Sequence, residues 1–131
     1  MIRYVDTSVL VKVLVTEEHS DAAATDLERS ADRGDVLVSS WLAYTELHCA
    51  LDRRLLRFPE AVNDVVDSLR LVDVERQDFQ RAASSSWGLR SADALHLATA
   101  LRIESDELVT YGRELREAAV RSGLTVTQPG T

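Results

Sequence analysis

Short apolar runs along the chain alternate with longer stretches in which apolar residues recur at helical spacing. Ile2 to Val5 is one such run. It ends in Asp6-Thr7-Ser8, where Thr or Ser can cap a helix running through Val9, Leu10, Val13 and Leu14. His19 to Arg33 is mostly Ala, Asp, Glu, Leu and Arg and reads as a second helix closed by Gly34, ahead of a second strand, Val36-Leu37-Val38-Ser39-Ser40. Trp41 to Leu56 forms a long helix with Leu42, Thr45, Cys49 and Leu56 spaced toward a core. Pro59 suits a first helical turn and starts a helix reaching about Leu69, after which Leu71-Val72-Asp73-Val74 makes a third strand. Glu75 to about Ser86 is helical, Gly88 breaks the pattern, and Ser91 to Ile103 forms another helix. Leu108-Val109-Thr110 is a fourth strand, Arg113 to Ser122 a helix ended by Gly123, and Leu124-Thr125-Val126 a fifth strand. Thr127 to Thr131 reads as a loose tail.

Strands alternating with helices imply right-handed crossovers and a mostly parallel sheet with helices on both faces. The expected fold is therefore α/β, a single domain over residues 1–127 with a central five-stranded sheet, followed by a short tail at 128–131. In open α/β sheets ligands bind beyond the carboxyl ends of the strands. Asp6, Ser39-Ser40 and Thr110 occupy such places.

Composition narrows the function classes. The hydrophobic fraction of 45% and charged fraction of 28% are those of an ordinary globular protein. No apolar run approaches the ~18 residues of a membrane span. Nothing at the N-terminus resembles a signal peptide, so a cytoplasmic protein is expected. A single cysteine, Cys49, excludes an internal disulfide and a cysteine-rich zinc site, and its neighbours Leu47, Ala50 and Leu51 suggest a buried small hydrophobe. The net charge of −7 argues against broad adhesion to nucleic acid, so any nucleic-acid chemistry must be local.

Three segments carry chemistry: Tyr4-Val5-Asp6-Thr7-Ser8-Val9-Leu10-Val11-Lys12, Tyr44-Thr45-Glu46-Leu47, and Ser91-Ala92-Asp93-Ala94-Leu95-His96-Leu97-Ala98-Thr99-Ala100. In this order and at these spacings they resemble a PIN domain, and more narrowly the VapC-type toxins of bacterial and archaeal toxin–antitoxin pairs. The resemblance extends over nearly the whole chain, including Leu108-Val109-Thr110 and Gly123-Leu124-Thr125-Val126. It implies an endoribonuclease whose acidic residues hold Mg²⁺ or Mn²⁺, with Asp6, Glu46 and Asp93 at the first three acidic positions. It also implies a homodimer, an RNA substrate and a VapB-type antitoxin partner with an Arg-containing tail. A fourth acidic residue is usual two places after the Thr of the fourth strand, and here that position is Gly112. Three carboxylates then suffice, or Glu114 reaches in from the following helix, or activity is reduced.

Clustered carboxylates suit such chemistry on elementary grounds. Mg²⁺ prefers oxygen ligands and keeps several waters while bound by one or two carboxylates and substrate phosphate. Without a cation the carboxylates repel one another. Each residue also has a plainer role open to it: Asp6 as a helix cap, Glu46 as a solvated helix acid, Asp93 as a cap favoured by the helix dipole. Glu46 lies among Trp41, Leu42, Leu47 and Cys49, an apolar setting for an unpaired charge. Thr7 and Thr110 are candidates to hydrogen-bond the carboxylates or metal waters, with Ser8 and Ser91 behind them. His96, one turn beyond Asp93, is a candidate metal or substrate-phosphate contact, although a lone helical histidine is more often a packed residue behind the site. Arg90 is a candidate substrate contact, and Trp87 is either an RNA-stacking residue or part of the core.

Two rivals are separable. A phosphoacceptor signalling domain would need adjacent acids after the first strand, an acceptor Asp after the third and a Lys after the fifth. This chain offers Asp6, an Asp73 inside the third strand and no late Lys. A catalytically weak or inactive PIN-like binding module is motivated by Gly112.

Overall fold

The computed structural model describes residues 1–131. Its elements follow in the order β1 (Ile2–Val5), α1 (Thr7–Leu14), α2 (Ser20–Asp32), β2 (Val36–Ser40), α3 (Trp41–Arg53), α4 (Pro59–Asp67), β3 (Arg70–Val72), α5 (Arg76–Ser84), α6 (Ser91–Arg102), β4 (Glu107–Val109), α7 (Arg113–Arg121) and β5 (Thr125–Thr127). Every expected element is present, with ends displaced by up to three residues. The sheet order is β3-β2-β1-β4-β5 and all four pairings are parallel. From β1 the chain builds outward through β2 and β3, then returns to lay β4 and β5 on the other side. The crevice where the direction reverses opens at the carboxyl ends of β1 and β4, the place this class of sheet reserves for ligands.

Strand alternation divides the core in two. Val5, Leu37 and Val109 face one cluster with Val9 and Leu10 of α1, Ala43 and Leu47 of α3, and Val62 of α4. Tyr4, Val38 and Leu108 face the other, with Leu97 and Ala100 of α6 and Leu115 and Ala119 of α7. Arg3 is also buried, and it is matched by Asp26 at 2.9 Å and Glu107 at 2.6 Å, which spares it an unpaired interior charge.

The structure corrects four sequence expectations. Helix α3 buries Ala43, Leu47, Ala50 and Leu51, whereas Thr45 and Cys49 are exposed and Leu42 and Leu56 only half-buried. Apolar residues surround this helix, so spacing alone did not select its inner face, and Cys49 is a surface thiol. Asp73 lies just past β3, not inside it, because the strand ends at Val72. The final residues are not loose: Pro129 is buried and its carbonyl accepts from the Tyr111 hydroxyl at 2.8 Å, while Arg116 donates to Gln128 at 2.7 Å. Trp87 is half-buried against the second core cluster, with the Arg81 guanidinium 5.9 Å from its ring centroid. No helix is long and apolar enough to cross a membrane.

Candidate active site

Asp6 follows β1 directly and is the N-cap of α1, the plainer role the sequence left open to it, whereas Thr7 and Ser8, also candidates for the cap, lie inside the helix. Its extended backbone (φ −75°, ψ 155°) lets the side chain turn back over the helix start. Oδ2 accepts from the Ser8 hydroxyl at 2.7 Å, from Thr110 Oγ1 at 2.9 Å and, at 3.4 Å, from the Ser8 backbone N–H. The Asp6 N–H donates to the Val109 carbonyl at 3.0 Å, so the carboxylate is tied to β4 through backbone and side chain alike. Ser8 Oγ in turn accepts from the Tyr111 N–H at 3.1 Å. Asp6 is therefore both cap and site candidate, with three donors on Oδ2 and Oδ1 free of hydrogen bonds, 3.7 Å from His96 Nε2.

Glu46, on the second turn of α3, is half-buried at the same edge. Its Oε1 accepts from Thr7 Oγ1 at 2.8 Å and from His96 Nε2 in a very short contact. Burial alone would raise this carboxyl, but the hydrogen bond and charge of His96, helped by Thr7 and Arg53, outweigh it and hold Glu46 below its usual range. Asp93 lies in the first turn of α6, whose N-cap is Arg90, and its side chain makes no capping bond. Asp93 therefore does not cap the helix by a hydrogen bond, although its charge sits in the first turn, where the helix dipole favours it. Burial raises the Asp93 carboxyl, and Asp6, Glu46 and Glu114 push it further up by like charge, against a smaller opposing pull from His96.

His96 is 1% exposed. That burial corrects the expectation of a direct substrate contact and fits the packed alternative. Its Nδ1 pairs with the Tyr4 hydroxyl at 2.8 Å, and Nε2 lies 3.4 Å from Thr7 Oγ1 in addition to its bond with Glu46. Burial opposes the imidazolium, yet Glu46, Asp6 and Asp93 together raise the ring's pKa. Tyr4 was not among the candidates from sequence. The signal was available: it stands two residues before Asp6 in a strand, hence on the same face.

The remaining candidates divide. Thr7 and Thr110 each donate to a site carboxylate. Glu114 is exposed on α7 but close enough for its charge to act on Asp93. Arg90 is exposed and its side chain makes no hydrogen bond, although its carbonyl accepts from the Ala94 N–H at 3.0 Å. Gly112 is the N-cap of α7 with φ −75°, an ordinary conformation for any residue, and its N–H donates to Thr110 Oγ1 at 3.0 Å. A cavity of about 370 Å³ beside Glu46 is lined by Thr7, Ser8, Lys12, Arg53, Tyr111 and Gly112, among others. No three His, Cys, Asp or Glu side chains converge closely enough to enclose a metal ion as they stand. The donor set is nevertheless the hard, oxygen-rich kind that suits Mg²⁺ or Mn²⁺, which need only one or two protein carboxylates beside water and phosphate.

A doubly built parallel sheet with carboxylates gathered at its reversal point defines a class, and the match is direct: residues 3–121 fit the family described as the PIN domain, and the chain belongs to it. Within the family it falls among the VapC proteins. It is 35% identical over 129 residues to Ribonuclease VapC46 of Mycobacterium tuberculosis, covering 96% of each chain. It is 36% identical over 133 residues to Ribonuclease VapC35 of the same organism, covering 97% of this chain and 96% of the relative. Two solved structures share the fold. M. tuberculosis VapC20, described as a Sarcin-Ricin loop cleaving toxin, superposes with a TM-score of 0.72 at 15% identity over 97% of this chain and 99% of that one. VapBC2 from Rickettsia felis, bound to a DNA fragment from its promoter, gives 0.71 at 17% identity over 97% and 98%.

Proposed function

We propose that this chain is the toxin of a type II toxin–antitoxin pair, a divalent-metal-dependent endoribonuclease with Asp6, Glu46 and Asp93 as its catalytic carboxylates. One observation carries the reading: Asp6 and Glu46 converge on His96 Nε2 at the reversal point of the sheet, and their charges, with that of Glu114, bear on the half-buried Asp93. Such crowding is unfavourable unless a cation compensates it.

Asp6, Glu46 and Asp93 would hold the metal. Bound Mg²⁺ or Mn²⁺ supplies Lewis acidity toward the scissile phosphodiester and a lowered pKa for water. The protein's own work is positioning. Thr110 and Ser8 occupy Asp6 Oδ2, leaving Oδ1 without a hydrogen bond. Thr7 and His96 occupy Glu46 Oε1. Thr7 and Thr110 act by fixing carboxylates, and Glu114 adds charge near Asp93 in place of an acid at Gly112. Arg90, exposed at the start of α6, is the proposed partner for RNA phosphate.

The partners proposed are RNA, a second copy of the chain and a VapB-type antitoxin acting in the cytoplasm. The crowded carboxylates offer an Arg-bearing antitoxin tail a bidentate target. The deciding experiment incubates purified chain with structured RNA and Mg²⁺ or Mn²⁺, with and without excess chelator. Cleavage that needs the metal supports the reading, and cleavage that persists in chelator ends it. Gly112 favours one alternative, an inactive PIN-like binding module. Absence of cleavage together with absence of Mg²⁺ binding would select it.

A further inference from the structure

His96 is almost completely buried at the carboxyl edge of the sheet, and both of its nitrogens are engaged. A buried imidazole is tolerated when each nitrogen has a partner, and the partner of one nitrogen dictates what the other can do. Nε2 faces Glu46 Oε1, an oxygen that already accepts from Thr7, so Nε2 carries the proton and donates to Glu46. Burial pushes the Tyr4 hydroxyl well above its ordinary pKa, keeping it protonated and able to donate into Nδ1 of the neutral ring. The Tyr4 ring also meets the imidazole edge-on, with centroids 5.8 Å apart. The imidazole is thus oriented from β1 and directed at α3.

Glu46 needs such a partner. Its side chain is long, with several torsions free, and is 32% exposed. Thr7 and His96 converge on the same oxygen, Oε1, and Oε2 makes no hydrogen bond to the protein. Two donors on one oxygen fix the carboxylate plane and leave the other oxygen available.

We infer that His96, oriented by Tyr4, is a positioning residue that sets the Glu46 carboxylate for cation binding. The inference rests on the reading of Glu46 as a metal ligand and adds what holds it. Residues that orient a metal ligand typically contribute ~10–100-fold in affinity or activity. His96 touches neither metal nor RNA, so its loss should lower metal affinity and kcat while leaving KM for RNA unchanged.

The test uses the full chain. Mn²⁺ binding is measured by calorimetry for the natural protein and for His96→Asn, His96→Gln, Tyr4→Phe and Glu46→Gln, with folding followed by circular dichroism. Gln can present an N–H where Nε2 lies, whereas Asn is too short. His96→Asn should weaken Mn²⁺ at least ~10-fold, His96→Gln should recover most of that loss, and Tyr4→Phe should fall between. A folded His96→Asn protein with natural Mn²⁺ affinity, while Glu46→Gln is impaired, would overturn the inference and leave the ligand reading intact. Undiminished binding in Glu46→Gln would overturn both. Should the His96 variants fail to fold, a two-bond ¹⁵N–¹H spectrum of the unaltered metal-free protein still decides. A protonated Nε2 with a strongly deshielded proton is the expected signature for this histidine, and a bare Nε2 would refute the arrangement.

Discussion

Thr110 Oγ1 donates to Asp6 Oδ2 at 2.9 Å across the boundary between β4 and β1, joining residues 104 apart in sequence. Both are buried, and the bond runs to a charged acceptor, a class worth about 1.5–3 kcal/mol. Thr110→Val keeps the shape and removes the donor. It should destabilise the chain by about that amount and weaken Mg²⁺ binding, whereas Thr110→Ser should preserve both. Denaturant melts with calorimetry check this. A Val variant that binds Mg²⁺ as the natural chain does would detach Thr110 from the site.

Asp6→Asn and Asp93→Asn should each lower RNA cleavage by ~100-fold or more, at or beyond the upper end for residues that merely support a ligand. Their effects on stability should differ. Asp6 caps α1 and accepts from Ser8 and Thr110, so its loss weakens the fold. Asp93 accepts no such bonds and is crowded by like charge, so Asp93→Asn should melt at the natural temperature or higher in metal-free buffer. A large fall in its melting temperature would mean that Asp93 is a structural acid.

Gly112→Asp restores the carboxylate that the resemblance led one to expect. The backbone accepts it, with φ −75°, and an added Cβ would sit 3.4 Å from Thr110 Oγ1 and 3.7 Å from Leu115 Cβ, requiring at most a small adjustment. Asp is also a favoured N-cap, so stability should hold or improve by up to about 1 kcal/mol. Mg²⁺ affinity should rise. An intact fold with no gain in affinity would show that this position faces away from the other carboxylates.

Asp35 gives a pH dependence away from the site. The hydrogen bond from Ser30, the Met1 ammonium and Arg33 hold its carboxyl far below the usual range. A carboxyl depressed in the folded state contributes stability above its unfolded pKa, and that contribution fades as pH falls through the folded value. Asp35→Asn should therefore be less stable than the natural chain at pH 7. The difference should begin to shrink below about pH 4, where an ordinary Asp titrates. Equal acid-melting curves for the two proteins would remove Asp35 as a source of this dependence.

What the sequence determined by itself is local. Apolar runs of strand length separated by helical spacing define the β-α alternation, and Asp6 and Thr110 are marked by standing directly after strands. The three acidic segments, in order, carry the family resemblance. Tertiary structure decided whatever depends on which neighbour arrives from elsewhere. Helix α3 is apolar on more than one side, and only its packing against α1 and β2 chose Leu47 and Ala50 over Cys49 as the inner face. Spacing placed His96 one turn beyond Asp93, but its burial under Tyr4 and its bond to Glu46 join three elements distant in sequence. The same holds for the raised carboxyl of Asp93: the charges that crowd it come from the start of α1, from α3 and from α7, and only the assembled fold brings them within reach. Periodicity reports a residue's own element, whereas electrostatics and burial report the sum of its surroundings.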